Sequence, residues 1–195
     1  MIASSGSARP ETGTGTTGGL SGPPVAGRLI APSLDVHASF LDALSEYHEE
    51  GIHLDLVSEE LVDTTTFQAW ADGLQLAGVR GEASCERDRV PHRVLWWVHN
   101  DQYIGRVRIN LTLNESLLAF GGHIGYDVRP SARRQGHATA LLGEALRVAH
   151  NLGVATALLT CAPENTASRR VIERNGGSLR DVSSAGRLRY WCLTR

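Results

Sequence analysis

The sequence contains no lysine: all 19 of its basic residues are arginine, and 21 acidic residues bring the formal net charge to −2. A general nucleic-acid binder carries a strong basic excess, so this balance argues against one. Long apolar runs are also missing, because no stretch approaches the roughly 18 residues of a membrane span. Residues 1–27 lack the charged start and apolar stretch of a signal peptide. We expect a soluble, cytoplasmic protein with no nucleic-acid and no membrane partner. A GC-rich bacterial genome is the easiest explanation for the missing lysine.

Cysteine is scarce. Cys85, Cys161 and Cys192 are odd in number and show no C-x-x-C spacing, which fits neither a disulfide framework nor a zinc site. Cys161 and Cys192 lie in strand-like apolar runs, which favours buried, reduced thiols over catalytic ones. We therefore expect no metal.

Residues 1–27 are rich in Gly, Ser, Thr and Pro and contain almost nothing to bury, so they are predicted to form a disordered tail. The remainder, residues 28–195, is predicted to form one globular domain, because a chain of this size and apolar content can build a single core.

Hydrophobic periodicity and turn residues predict the order β-α-α-β-β-β-α-β-α-β-β, which is a mixed α/β fold. Asn100-Asp101 is a hairpin turn in this scheme, residues 79–91 are a loop, and a threonine caps the second helix. The predicted strands are 28–33, 92–100, 103–113, 116–128, 155–162, 178–184 and 186–194. The predicted helices are 34–51, 64–78, 138–152 and 165–177.

The stretch RPSARRQGHAT (129–139) lies where a strand passes into a helix. The first N–H groups of a helix have no intrahelical partner, and with the helix dipole they attract anions. Gly136 has no Cβ, Ala138 is small, and both let a ligand approach the backbone. Arg133 and Arg134 add positive charge. The pattern therefore favours a phosphate or pyrophosphate cradle over a plain turn.

The same residues carry a family resemblance. RRQGHA (133–138) resembles the R/Q-x-x-G-x-G/A signature of the GNAT superfamily of acetyl-CoA-dependent N-acetyltransferases. HIGYDVRPSARRQGHATALLGEAL (123–146) is similar to that family's strand, pyrophosphate loop and following helix, and NTASRRVIERNGG (165–177) to its later helix. The resemblance covers roughly residues 28–195 and is strongest over 121–177. It implies a GNAT-like mixed central sheet with helices on both faces.

The resemblance implies acetyl-CoA as co-substrate and no metal. Backbone amides and the Thr139 hydroxyl would hold the pyrophosphate, an arginine would reach the 3′-phosphate, and the end of the strand at 126–128 would pair with the pantetheine arm. Asn165 is either a contact to that arm, a simple helix cap, or both. The implied cofactor-binding residues are Val128, Arg133, Arg134, Gln135, Gly136, His137, Ala138, Thr139, Asn165 and Ser168.

In such enzymes an amine attacks the thioester directly in a ternary complex. His123 occupies the position of the usual base, and an ordinary histidine pKa near 6.5 suits that task; the alternative is a histidine packed on a strand. The tyrosine that usually protonates the thiolate is replaced by Ile172. Tyr126 is the candidate acid and Tyr190 a weaker one, although a thiol with a pKa of about 8.5 can leave without an acid. A backbone N–H near Val128 could stabilise the oxyanion.

The acceptor is expected to be an amine of a small molecule or peptide, and the protein a monomer or homodimer. Residues 42–63 contain eight carboxylates and no arginine. Such an acidic wall would attract a cationic acceptor, although a solvated helix face is the favoured explanation of these carboxylates. The carboxylates are Asp42, Glu46, Glu49, Glu50, Asp55, Glu59, Glu60 and Asp63.

Two other functions stay open at this point. A catalytically weak acyl-CoA-binding module, sensing or regulatory, is compatible with Ile172 at the tyrosine position. A nucleotide-phosphate-binding enzyme could use the same glycine turn, but the sequence has no G-x-x-x-x-G-K-[ST] loop, which argues against a P-loop NTPase.

Overall fold

A computed structural model describes residues 25–80 and 90–195. Most of the predicted tail, residues 1–24, lies outside the described residues, as do Cys85 and most of the predicted loop 79–91. The strands are β1 (Arg28–Ile30), β2 (His92–His99), β3 (Gln102–Asn110), β4 (Ile124–Val128), β5 (Thr156–Cys161), β6 (Ser178–Val182) and β7 (Leu188–Leu193). The helices are α1 (His37–Glu49), α2 (Ser58–Leu61), α3 (Thr64–Arg80), α4 (Glu115–Ala119), α5 (His137–Asn151) and α6 (Thr166–Arg174).

The strands form two antiparallel sheets, in the orders β1-β2-β3-β4 and β5-β7-β6. The sheets meet at an isolated bridge between Gly122 and Leu159. There the His123 N–H donates to the Leu158 carbonyl at 2.7 Å. Past this bridge β4 and β5 share no ladder, so among the described strands a gap opens between the two sheets.

Helices cover both faces of the first sheet. Adjacent residues of a strand point to opposite faces, and here Trp96 packs beneath α1 and α3 while Trp97 packs beneath α5. Phe40 of α1 stacks on Trp96 with ring centroids 5.0 Å apart. On the other side Leu141 and Leu142 of α5 are completely buried. The mixed α/β class with helices on both faces is therefore confirmed.

Local sequence signals explain several elements. Asn100 and Asp101 both have positive φ (49° and 56°), the conformation of a mirror-image hairpin turn, and they confirm the predicted turn between β2 and β3. The predicted threonine cap of α3 is wrong, because the Asp63 carboxylate accepts the Thr66 N–H at 2.8 Å. The short carboxylate of Asp63 supplies the acceptor that the free N–H groups of α3 need.

The first half of the predicted strand 116–128 is also wrong. Residues 115–119 form helix α4, because the Asn114 side chain accepts the Leu117 N–H at 2.9 Å and so caps a helix. Gly121 and Gly122 then follow with φ of 123° and 77°, and the strand begins only at Ile124. Helix α2 is a second short element that the hydrophobic pattern did not predict.

Cys161 and Cys192 are free and buried, which confirms the prediction for these two thiols. Burial raises the pKa of Cys192 to about 11, and burial is also the main reason why the pKa of Cys161 is raised. Thiols held in the protonated form are poor nucleophiles, so neither suits a nucleophilic role.

Candidate active site

One edge of β4 carries no strand over most of its length. The Arg129 N–H donates to the Ile104 carbonyl of β3 at 2.9 Å. Backbone groups alternate between the two edges of a strand, so the N–H groups of Tyr126 and Val128 point the other way, into the gap beside β5. This is the splay that the family resemblance implies.

The chain leaves β4 through the segment 129–138, which we call the glycine loop. After a 3₁₀ turn at Pro130–Ala132, two left-handed residues follow, Arg134 with φ 60° and Gly136 with φ 92°. Left-handed residues within a turn bring successive N–H groups into a concave, anion-binding arrangement. The N–H groups of His137 and Ala138 open the fifteen-residue helix α5 and have no intrahelical acceptor. The loop therefore has the form of an anion cradle.

The two adjacent arginines of the loop differ in their surroundings. Arg133 donates from Nε to the Val128 carbonyl at 3.0 Å, and its two terminal nitrogens each donate to a Glu50 oxygen at 2.8 Å. Arg134 is exposed and makes no hydrogen bond or ion pair with another described residue. Only Arg134 is therefore open to a phosphate in this conformation.

Glu46 of α1 contacts the start of the loop through four donors. Its carboxylate accepts Nε of Arg129 at 3.0 Å and also a terminal nitrogen of that residue. It accepts the Ser131 N–H at 2.9 Å and the Ser131 hydroxyl at 2.8 Å. Burial alone would raise the pKa of Glu46, but the bonds from Arg129 and Ser131 outweigh it and lower the pKa. Glu46 is therefore an ionised partner of the loop.

Other predicted loop residues use their side chains within the protein. Gln135 donates to the Ser131 carbonyl at 3.0 Å. The buried His137 ring accepts the Trp97 indole N–H on Nδ1 at 3.3 Å, and burial together with His99 lowers its pKa. What Gln135 and His137 can offer a ligand is accordingly their backbone N–H groups.

Tyr126, Asn165 and Ser168 meet at the gap beside β4. The hydroxyls of Tyr126 and Ser168 are 3.2 Å apart. The Asn165 side chain accepts the Ser168 N–H at 2.9 Å, so Asn165 does cap α6. Burial raises the pKa of Tyr126 to about 12, which keeps its hydroxyl protonated at neutral pH. The structure thus brings together a candidate acid and two candidate cofactor residues.

His123 lies at the bridge between the sheets. Its Nδ1 accepts the Leu158 N–H at 2.9 Å, so the neutral ring carries its proton on Nε2. Burial lowers its pKa. To take a proton from an amine, the ring must use Nδ1 and release Leu158.

Of the other two positions named for the acid, one is a core isoleucine and the other is a tyrosine whose hydroxyl bonds to α6. Ile172 is 1% exposed and belongs to the core. The usual tyrosine position is therefore on the face of α6 that packs against the hydrophobic core. The Tyr190 hydroxyl bonds to Glu173 at 3.2 Å and to Arg169 at 3.3 Å, both on α6. Among the three positions considered, the Tyr126 hydroxyl is the one beside the free edge of β4.

Sequence reasoning missed a charged cluster around Asp127. Its carboxylate accepts the Tyr47 hydroxyl at 2.7 Å and Arg106 Nε at 3.0 Å, and His53 Nε2 lies 3.4 Å away. Burial would raise the pKa of Asp127, but His53, Arg106 and Tyr47 together lower it. Arg106 and Asp127 are directly opposite in the β3–β4 register, so strand pairing could have revealed this ion pair. The cluster joins α1 and the segment after it to β4.

Three of the eight carboxylates in the predicted acidic wall form hydrogen bonds or ion pairs with other residues of the protein. Glu46 and Glu50 pair with the glycine loop, and Asp63 caps α3. The other five carboxylates are exposed, and they are Asp42, Glu49, Asp55, Glu59 and Glu60. The charge available to a cationic acceptor is therefore smaller than the sequence suggested.

Two features are absent from residues 25–80 and 90–195. There, no three or more His, Cys, Asp or Glu side chains are grouped so that they could hold a metal ion. No helix in these ranges is long and apolar enough to cross a membrane.

The sequence matches the family model of the acetyltransferase (GNAT) domain over residues 40–178. This range covers well over half of the chain and includes β4, the glycine loop and α6. The chain belongs to the GNAT acetyltransferase family. It is accordingly an acyltransferase enzyme, and the resemblance seen in RRQGHA is confirmed. No sequence among the curated proteins matches this GNAT chain.

Solved GNAT structures share the fold at low sequence identity. Mycobacterium smegmatis RimJ in complex with CoA-disulfide has a TM-score of 0.59 and 20% identity, over 87% of this chain and 82% of that one. The microcin C7 self-immunity acetyltransferase MccE, in complex with acetyl-CoA and AMP, has a TM-score of 0.58 and 12% identity, over 86% of this chain and 92% of that one. A Salmonella typhimurium acetyl transferase that modifies the N-terminal serine of ribosomal protein L7/L12 has a TM-score of 0.58 and 16% identity, over 87% of this chain and 95% of that one.

Proposed function

We propose that this GNAT enzyme moves an acetyl group from acetyl-CoA to a primary amine of a small molecule or peptide, by direct attack in a ternary complex and without a metal. One observation carries the proposal. The edge of β4 that carries no neighbouring strand, at Tyr126 and Val128, leads directly into the anion cradle of the glycine loop. An extended arm ending in a diphosphate has the form that this arrangement would bind.

The diphosphate of acetyl-CoA would lie against the N–H groups of residues 134–138, with the Thr139 hydroxyl beside them. Arg134, the loop arginine without a partner among the described residues, would reach the 3′-phosphate. The pantetheine arm would add to the free edge of β4 like another strand, using the backbone groups of Tyr126 and the N–H of Val128, whose carbonyl already accepts Arg133 Nε. Asn165 and Ser168 would line the opposite side of the gap.

Tyr126 is suited to stabilise the leaving thiolate by a hydrogen bond. Its pKa is raised to about 12 by burial, whereas a free thiol has a pKa of about 8.5. Full proton transfer from Tyr126 to the sulfur would therefore be unfavourable, but a hydrogen bond to developing negative charge costs no such transfer. Ser168 holds the hydroxyl in place at 3.2 Å.

His123 is the candidate base for the amine proton. A ring with a pKa below its ordinary value is neutral at physiological pH and can accept a proton. The acceptor would be Nδ1, which has to give up the Leu158 N–H for this step. The backbone N–H of Val128 is the candidate donor to the oxyanion.

The function is tested by measuring thiol release from acetyl-CoA over a panel of primary amines. The panel should contain polyamines, aminoglycosides and peptides, including one with an N-terminal serine, since a structure of the same fold is described as modifying such a residue. We expect release with at least one amine and a clear loss in a His123→Ala variant. Binding of acetyl-CoA without release for any amine would favour the acyl-CoA-binding module. Failure of saturating acetyl-CoA to raise the melting temperature would contradict both functions.

A further inference from the structure

Glu46 of α1 and Glu50, which directly follows the end of that helix, contact the glycine loop from the same side. Glu46 and Glu50 are four residues apart, so their side chains project from one face of the helix end. Glu46 accepts both the N–H and the hydroxyl of Ser131, and pairs with Arg129. The Glu50 carboxylate accepts a hydrogen bond at 2.8 Å from each terminal nitrogen of Arg133. This bidentate geometry fixes a guanidinium in one orientation.

The loop that they contact is held in an unfavourable backbone conformation. Arg134 has φ 60°, which a residue with a Cβ adopts only at a cost in free energy. Its neighbours are fixed on both sides. Arg133 is tied to Glu50 and the Val128 carbonyl, while Gln135 is tied to the Ser131 carbonyl. Ser131 is in turn tied to Glu46.

We propose that Glu46 and Glu50 are positioning residues, which hold the glycine loop in its anion-binding conformation. Arg133 then acts by its pairing with Glu50 and does not itself bind phosphate. Arg129 is almost buried, with a side chain that is 11% exposed, and a buried cation needs the partner that Glu46 supplies. The inference rests on the proposed binding of acetyl-CoA at this loop, and it adds the residues that shape the loop.

Glu46→Gln tests the first half of the proposal, with Glu49→Gln as the matched control on the same helix. Glu49 is exposed and has no partner among the described residues. Dissociation constants are measured for coenzyme A and for pantetheine, which lacks the diphosphate. We expect Glu46→Gln to raise the value for coenzyme A about tenfold or more, because hydrogen bonds to a charged group are lost. The value for pantetheine should stay unchanged, and Glu49→Gln should match the wild type for both.

If Glu46 had a purely structural role, Glu46→Gln would raise the dissociation constants of both ligands by the same factor, and that result would overturn the proposal. An unchanged value for coenzyme A would overturn it as well. If Glu46→Gln does not fold, Ser131→Ala removes one donor to Glu46 without touching Arg129. This variant should raise the value for coenzyme A by roughly threefold, and no rise would contradict the proposal.

A double-mutant cycle tests the second half. Glu50→Gln should weaken the binding of coenzyme A, and the double variant should weaken it no more than Arg133→Gln alone, because that single change already removes the interaction with Glu50 together with the bond to the Val128 carbonyl. Unchanged binding in Glu50→Gln, or a double variant that binds clearly more weakly than Arg133→Gln alone, would overturn this half. If the wild type itself does not bind coenzyme A, the proposed function fails together with the inference. If the wild type binds and the variants bind equally well, only the inference fails.

Discussion

At the scale of single residues, the glycine loop depends on backbone conformation more than on side chains. The side chains of Gln135 and His137 form hydrogen bonds within the protein, and Arg133 is paired with Glu50. What remains for a ligand is the row of N–H groups and Arg134, the loop arginine that has no partner among the described residues. The sequence drew attention to two arginines, but their different roles depend on Glu50, a residue 83 positions earlier than Arg133.

Substitutions at Arg134 can reveal the strain in the loop. A left-handed φ favours glycine over any residue with a Cβ. We expect Arg134→Gly to be more stable than Arg134→Ala by about 1 kcal/mol, since both lack the guanidinium and only alanine keeps the strained Cβ. Urea unfolding of the two variants without ligand measures the difference. An alanine variant that is equally stable or more stable would show that the backbone at Arg134 is unstrained.

The hydroxyl of Tyr126 is the residue-scale feature most directly tied to chemistry. Tyr126→Phe removes only that hydroxyl, which lies 3.2 Å from Ser168. We expect kcat to fall about 10-fold to 100-fold with little change in the KM for acetyl-CoA, because the lost interaction forms mainly in the transition state.

Tyr190→Phe is the control for Tyr126→Phe, because the Tyr190 hydroxyl bonds to Glu173 and Arg169 away from the gap. Its kcat should stay close to that of the wild type. Equal losses in the two variants, or a raised KM with unchanged kcat in Tyr126→Phe, would contradict the assigned role.

At the scale of elements, the strongest sequence signals gave the correct structures. Helix α5 has a clear apolar stripe and Gly153 after its end, and the β2–β3 hairpin has Asn100-Asp101 at its turn. Both elements are specified by residues close together in the chain. The apolar run at 116–120 carries no clear period, so the cap by Asn114 decided between helix and strand there. Short elements such as α4 depend on single capping bonds, which a pattern of apolar residues does not reveal.

Two histidines, the half-buried His123 and the buried His137, join elements and should make stability depend on pH. His123 accepts the Leu158 N–H of β5, and His137 accepts the Trp97 N–H of β2. Burial lowers the pKa of both rings below the ordinary value of 6.5. As pH falls through that value, the unfolded chain binds protons that the folded chain does not. The free energy of unfolding should therefore fall below about pH 6.5 and be unaffected by these rings above it.

This dependence is measured by urea unfolding between about pH 7.5 and 5.5. The matched variant is His123→Asn with His137→Asn, since an asparagine oxygen can replace Nδ1 as the acceptor. We expect the variant to show a flatter profile over this range. The carboxylates with lowered pKa values, Glu46 and Asp127, act at lower pH because their ordinary values are 4.5 and 3.8. Identical slopes in the wild type and the variant would contradict the account.

At the scale of the whole molecule, the gap between the two sheets organises the site. One side of the gap is the free edge of β4, and the other is the start of α6 with Asn165 and Ser168. These positions followed from the sequence because the family resemblance covers them residue by residue. The partner from α1 did not, since Glu46 lies 85 residues before Ser131 and belongs to no motif. The Asp127 cluster was missed for the same reason, because Tyr47 and Asp127 are 80 residues apart.

The central claim is that backbone N–H groups of the glycine loop hold the diphosphate of acetyl-CoA, with the arginines in a supporting role. Calorimetric titration of acetyl-CoA into the wild type, Gly136→Val and Arg134→Ala tests it most directly. A side chain at Gly136 would have to adopt φ 92°, and its Cβ would come within 3.1 Å of Val25 Cγ2. We expect the wild type to bind one acetyl-CoA per chain, Gly136→Val to lose more than about tenfold in affinity, and Arg134→Ala to lose less. A larger loss in Arg134→Ala than in Gly136→Val, or no binding by the wild type, would contradict the account.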